Sequence, residues 1–359
     1  MQIRAWRICR GVVIATFLGF SSLSLAAGGG RLPENGDLPR QLGERVVNNL
    51  LKRPLHHFGY PEVCMGYGAL RFTKELHDHK LLAAVLARYR LIIRNQDRHI
   101  LPKPNIVDHS VFGMLPLEIY HITGGRRYLK LGLHYADVQW VHPRPDGLTR
   151  QTRWWIDDMF MIIGLQTQAY KVTHKKKYLE RAVRELVAYV RRLQRPSGRF
   201  IHGPKAPIEW GRGNGWVAVG LSRVLTSLPK NDAHRAFLLN AYIRMMNGLL
   251  ACQSASGMWR QVLNDRKSWK ESSCTGMFIT AMAVGINHGW LSRTKFGPPL
   301  QKAWSALCRH VDRHGNVRDV CIGTSQSAHE SYYLNRPRRT GDPHGQAAFL
   351  WAAWAMELR

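Results

Sequence analysis

The chain has 359 residues, 45% hydrophobic and 21% charged, a balance that excludes intrinsic disorder and allows a large buried core. Its 52 Lys and Arg against 24 Asp and Glu leave a formal charge of +28, which draws the molecule toward polyanions. The basic residues are scattered over amphipathic segments, and no RNP, zinc-finger or basic-zipper pattern gathers them. A solvated basic surface is therefore expected, not specific nucleic-acid recognition.

The N-terminus reads as a targeting segment. Basic MQIRAWRICR precedes apolar GVVIATFLGFSSLSLA, and Ser24-Leu25-Ala26 is a small-x-small cleavage site. Residues 1–26 are thus expected to be a secretory signal, which places the mature protein in the periplasm or outside the cell. Residues 27–40, rich in Gly and Pro, read as a flexible leader, and 41–359 as one domain. No segment after the signal has the uninterrupted apolar length of a membrane span. Beyond Cys9, the cysteines are Cys64, Cys252, Cys274, Cys308 and Cys321, at wide, irregular spacings. That pattern offers no zinc site and suits buried small hydrophobes, with room for one or two disulfides in an exported protein. No metal or other cofactor is expected.

From Cys64 onward the chain repeats itself. CMGYGALRFTKEL, VFGMLPLEIYHITG, MFMIIGLQTQAYKVT, GWVAVGLSRVLTSL, TGMFITAMAVGINHGWL and GQAAFLWAAWAMEL are each apolar on nearly every face. An all-round apolar helix is buried, whereas the basic amphipathic segments that follow the first five have a wet side. Equivalent points recur roughly every 50 to 60 residues, the period of a repeat architecture. Six inner helices alternating with outer ones predict an all-α fold, an (α/α)6 barrel of six helical hairpins. A helix around Leu42–Lys52 would partner the sixth inner one. An open helical solenoid fits the same pattern, but a helix left over at each end suits closure better.

The connections to the inner helices also resemble one another. DGLTRQ, SGRFIHG, SGMWRQVL and HGNVRDV each place a turn glycine before an extended pair, and all lead to helix N-termini on one rim. Polar residues collect there. Asp108 and His109 precede the second inner helix, and Asp157 and Asp158 the third. Trp210, Arg212, Asn214 and Trp216 surround the start of the fourth. Glu271 and Ser272 precede the fifth, and Asp342 and His344 the sixth. Helix capping accounts for one acid per helix. It does not account for Arg212, because a helix start disfavours a cation. In TRWWIDDMFM, Asp157 or Asp158 is either a cap or an acid held protonated near neutrality by desolvation and like charge. Acids, an arginine and tryptophans together suit a sugar that carries a carboxylate.

The segments DHSVFGMLPLEIYHITGGRRYL, WWIDDMFM, EWGRGNGW, ESSCTGMFITAMAVGINHG and GQAAFL resemble the unsaturated glucuronyl and rhamnogalacturonyl hydrolases, glycoside hydrolase families 88 and 105. The rhamnogalacturonyl branch is the closer match. The resemblance runs from about Cys64 to the C-terminus, with the motifs in the family's order. It implies an acidic oligosaccharide substrate, made by a pectin lyase, whose terminal sugar carries a C4–C5 double bond. The resemblance also implies hydration of that vinyl ether, without metal. It places the proton donor and base on Asp157 and its partner on Asp108. Trp210 and Arg212 are similar to residues that hold the unsaturated uronate, and Asn214, Trp216 and His202 complete the expected substrate-binding set. The chain departs from the pattern where some members have a histidine before the WxDxxxM motif: Gln151 and Arg153 stand there. The residues alone also leave open a two-carboxylate glycosidase on the same barrel and a non-enzymatic polysaccharide-binding protein.

Overall fold

Small residues let helices approach closely, and Gly and Ala are frequent in six of the segments that the sequence makes apolar all round. The computed structural model describes residues 39–94 and 101–358, within one compact unit. The expected signal and most of the leader, residues 1–38, lie outside the described residues. The first helix, α1 (Pro39–Lys52), begins two residues before the boundary expected at 41.

Inner and outer helices then alternate. α2 (Tyr60–Glu75) pairs with α3 (His79–Arg94). The second inner element is α4 (Val107–Ser110), a 3-10 turn (Val111–Gly113) and α5 (Met114–Thr123), backed by α6 (Arg126–Val138). Next come α7 (Asp158–Thr173) with α8 (Lys176–Leu193), α9 (Gly211–Ser227) with α10 (Arg235–Ala251), and α11 (Ser272–Asn287) with α12 (Arg293–Cys308). After a loop that holds the two-residue strands β1 (Val320–Cys321) and β2 (Arg338–Arg339) and the short α13 (Glu330–Leu334), α14 (Pro343–Glu357) packs on α1. The inner helices touch in the cyclic order α2, α5, α7, α9, α11, α14 and back to α2, so the ring is closed. This is the (α/α)6 barrel, and the solenoid alternative is excluded.

Burial explains which helices are inside. Every residue of α7 from Asp158 to Ala169 is buried, as is every residue of α9 from Gly211 to Leu225. Outer α8, by contrast, alternates buried apolar positions with exposed Lys and Arg. Phe160, Trp216 and Trp351 fill the inside of the ring, with centroids 4.9–5.7 Å apart. Each such buried side chain contributes about 1.5–3 kcal/mol. Close approach dictates Gly220, because a Cβ there would collide with the Met159 carbonyl, backbone that has no room to yield.

The four predicted turn glycines, Gly147, Gly198, Gly257 and Gly315, all have left-handed φ between 77° and 95°, which a side chain would strain. The loops that they open converge on the inner-helix N-termini. No disulfide joins Cys64, Cys252, Cys274, Cys308 or Cys321. Among the described residues, no helix is long and apolar enough to cross a membrane.

Candidate active site

Which rim acids are caps is settled by their hydrogen bonds. Glu271 accepts from the backbone N–H groups of Ser273 and Cys274, and Asp342 from that of His344. Both satisfy orphan donors of their helices. Asp157, at the start of α7, makes no side-chain cap bond. Its Oδ2 instead approaches His202 Nε2 at 3.3 Å, off the line of a hydrogen bond. Both atoms are buried, and neither has a hydrogen-bond partner among the described residues.

Two loops make this encounter. Trp154 takes a left-handed φ of 61°, which throws successive side chains to opposite sides. Trp154 packs tilted on Tyr189 (4.9 Å), while Trp155 turns to His202 (5.5 Å). His202 is fully buried in the glycine loop before α9, edged by Tyr333 and tilted on Trp210 at 4.7 Å. The Tyr333 hydroxyl donates to Ser327 O (3.3 Å) and accepts the Ser327 N–H (3.1 Å). His202 Nδ1 lies 2.7 Å from the same Tyr333 Oη, and Nε2 faces Asp157.

The expectation of a raised Asp157 pKa is not met. Burial pushes the carboxyl up, but contact with His202, the charge on that ring and the guanidiniums of Arg153 and Arg212 outweigh it and hold it below its usual range. Its neighbour behaves oppositely. Burial raises Asp158 despite the opposing charge of Arg153 and bonds from Tyr189 and Arg153.

Arg153, a departure from the family pattern, turns out to be central. Its Nη1 and Nη2 donate to Asp108 Oδ2 and Oδ1 (2.9 and 3.2 Å). Nε and Nη2 donate to Asp158 Oδ1 (2.9 and 2.7 Å), and its backbone N–H to Asp158 Oδ2 (2.9 Å). The guanidinium lies 4.9 Å from the Trp155 ring centroid. Asp108 on α4 is thereby tied to the Asp157 loop through an arginine. His109 turns to Asn105 (3.0 Å) and is half-buried.

The EWGRGNGW residues divide by role. Arg212 is fully buried, donating to Cys321 O and Ile322 O, with Nε unpartnered. Trp210 lies under it at 4.9 Å and donates to Gln261 Oε1 (3.3 Å). Trp216 is buried with a free indole N–H, edge-on to Tyr60 at 6.3 Å. Asn214 needs correction as a substrate-binding residue. Its amide donates to Phe200 O and Trp210 O and accepts from Phe200 N–H, so both its donors are consumed in holding the His202 loop.

Sequence reasoning missed Tyr60 as a site residue. Its hydroxyl meets His344 Nε2 at 2.7 Å, and His344 Nδ1 meets Asp342 Oδ1 at 2.6 Å. This chain of three links the α2 and α14 N-termini beside Arg212. Asp342 and His344 were visible as rim residues, whereas Tyr60 lies before the first recognised motif and carries no signal of its own.

A pH-sensitive buttress lies behind the site. Glu185 on α8 is fully buried and accepts from Thr149 N–H (2.8 Å) and Thr152 Oγ1 (3.0 Å), with no cation paired to it among the described residues. Burial pushes its carboxyl up to about 7. The folded state then binds more protons than the unfolded one between pH 4.5 and about 7, so stability falls as pH rises through that window. The loss is up to ~3 kcal/mol. Thermal melts at pH 5 and pH 8 are expected to show a smaller fall for Glu185→Gln than for the wild type. An equal fall would mean that the carboxylate ionises without penalty.

Comparison with known proteins places this geometry. The chain is 30% identical over 230 residues to the unsaturated 3S-rhamnoglycuronyl hydrolase of Formosa agariphila, covering 58% of this chain and 61% of that protein. A relative from Alteromonas sp. bearing the same description is 31% identical over 47% of this chain and 44% of its own length. The match thus spans about half the length of these two relatives. The unsaturated rhamnogalacturonyl hydrolase YesR of Bacillus subtilis is 25% identical over 70% of this chain and 76% of its own. In fold, a possible member of the GH105 family from Salmonella enterica superposes with a TM-score of 0.81 at 19% identity, over 91% of this chain and 96% of that one. A family model, Glycosyl Hydrolase Family 88, matches residues 40–359, nearly the whole described barrel, and the chain belongs to that family.

Proposed function

We propose that this protein removes a 4,5-unsaturated uronic acid from the non-reducing end of acidic oligosaccharides, rhamnogalacturonan fragments of pectin among them, by hydrating the double bond. The observation that carries this reading is the unpartnered pair of Asp157 Oδ2 and His202 Nε2, buried together beside Trp155 and Arg212. A vinyl ether needs a proton on C4 and water on C5, and one group that gives and then takes a proton serves both steps.

In the ligand-free site the surrounding cations favour the Asp157 carboxylate. A bound uronate adds a negative charge beside it and offsets Arg212, which raises the Asp157 pKa and favours the protonated carboxyl. Asp157 then donates to C4, leaving a cation at C5 that the ring oxygen stabilises. The resulting carboxylate takes a proton from water as its oxygen bonds to C5. The hemiketal so formed opens to a ketone, and C1 releases the aglycone as an alcohol. Asp108, neutralised by Arg153, orients the sugar as a hydrogen-bond acceptor. The likeness in sequence to rhamnoglycuronyl and rhamnogalacturonyl hydrolases supports rhamnose as the aglycone sugar.

The test is ultraviolet absorbance of the double bond, with purified protein and unsaturated uronyl-rhamnose disaccharides from pectin and from a sulfated polysaccharide. Loss of absorbance on the pectin fragment supports the reading, and preference for the sulfated one reassigns the aglycone. Cleavage of saturated oligosaccharides instead would make it a two-carboxylate glycosidase, and binding without turnover a polysaccharide-binding protein. Export to the periplasm or beyond, where such fragments arise, forms part of the proposal, and cell fractionation tests it.

A further inference from the structure

The barrel has a second mouth, where the inner helices end. Arg71 lies on α2 about 16 Å beyond Tyr60, Lys171 on α7 about 20 Å beyond Asp158, and Arg223 on α9 about 16 Å beyond Arg212, at 1.5 Å per residue. Phe160, Trp216 and Trp351 stand between this end and the candidate active site.

Cations near helix C-termini ordinarily offset the dipole by bonding terminal carbonyls. These do not. Arg71 Nη1 and Arg223 Nη1 both donate to the Tyr67 hydroxyl, and Arg223 Nη2 donates to Gln168 Oε1 at 3.0 Å. Arg223 is 8% exposed, and its buried Nε has no partner. The Lys171 ammonium makes no hydrogen bond or ion pair among the described residues. Burial and the charges of Arg223 and Arg71 hold it well below its ordinary pKa. Two carboxylates stand among them: Glu118, engaged by Gln168 Nε2 at 2.6 Å, and Glu75, whose charge acts on Arg71. Arg71, Lys171 and Arg223 therefore line a cavity of about 40 Å³ without an acid, and it adjoins a pocket of about 580 Å³ to which Lys74, Glu75 and Glu118 are added. Trp354 floors both, with the Arg71 guanidinium 3.9 Å from its ring centroid.

We infer that this mouth is an anion site for a tetrahedral oxyanion, sulfate or phosphate, held by Arg71, Lys171 and Arg223. Two guanidiniums supply charge-assisted donors, a bound dianion favours the charged form of Lys171, and it balances the excess of Arg71, Lys74, Lys171 and Arg223 over Glu75 and Glu118. The larger pocket has space for the same group carried as a sugar ester.

Titration calorimetry on the whole protein tests this, at ionic strength held constant with sodium chloride. The probes are sodium sulfate, sodium phosphate and glucose 6-phosphate. Millimolar or tighter binding of at least one is expected, weakened about tenfold in Lys171→Met, restored in Lys171→Arg and weakened likewise in Arg223→Met. Lys171 is partly exposed, so its replacement by Met tests the site even if Arg223→Met fails to fold. Binding of the inorganic ions identifies a free-ion site, and binding of the ester alone a sugar-ester site. Heat no greater than the chloride control, or binding that Lys171→Met leaves unchanged, overturns the inference. Asp157→Asn is expected to retain this binding, which separates the site from the catalytic one.

Discussion

Asp157→Asn is expected to lower kcat on an unsaturated uronyl disaccharide by about 10³- to 10⁴-fold, the upper part of the range for losing a general acid–base group. The loss falls at the upper end because one carboxyl serves both half-reactions and the adjacent acid, Asp158, is committed to Arg153 and Tyr189. Steady-state absorbance kinetics measure it. A fall of less than tenfold would move the proton donor elsewhere. Stability supplies a second readout. The Asp157 pKa is depressed in the folded protein, so its contribution to stability is present above the unfolded value and lost as pH falls through the folded one. The stability difference between wild type and Asp157→Asn should therefore shrink toward acid pH. A variant that unfolds at every pH would show that the side chain is a structural prop.

Arg153→Met is expected to cost about 3 kcal/mol of stability and to alter the pH profile of any activity that survives. The Asp158 side chain has no exposure and would lose its guanidinium, and removing one partner of a buried pair costs about 3–5 kcal/mol. The lower figure applies because the Arg153 backbone N–H and the Tyr189 hydroxyl still serve the carboxylate. Denaturant unfolding measures this term. The pH profile separates positioning from mere scaffolding. Arg153 is one of the charges that depress Asp157, so without it the Asp157 pKa rises and the alkaline limb of kcat/KM moves to higher pH. An unmoved limb alongside reduced stability would leave Arg153 a purely structural clamp.

These two residues show how far the sequence reaches. The inner helices were legible because each is apolar on all faces, as only a helix enclosed by other helices is. The turn glycines were legible because a left-handed residue in a tight loop favours Gly, and all four adopt that conformation. Composition and spacing thus determined the barrel, the rim at which polar residues collect and the family motifs on it. The sequence did not determine which polar residues on the rim are free to act. Asp157, Glu271 and Asp342 all precede inner helices, yet two are caps and one is not, a distinction made by where each backbone turns. Asn214 lies within a family motif but consumes its amide on the Phe200 and Trp210 backbone. Arg153 stood out only as a departure, and its meaning came from carboxylates 5 and 45 residues away along the chain. The Asp157 pKa had the opposite sign from the expectation because neighbouring acids are visible in sequence, whereas His202 and Arg212 arrive from another hairpin. Hydrophobic periodicity is local and survives in one dimension; hydrogen bonds and charge–charge distances are set only when the ring closes.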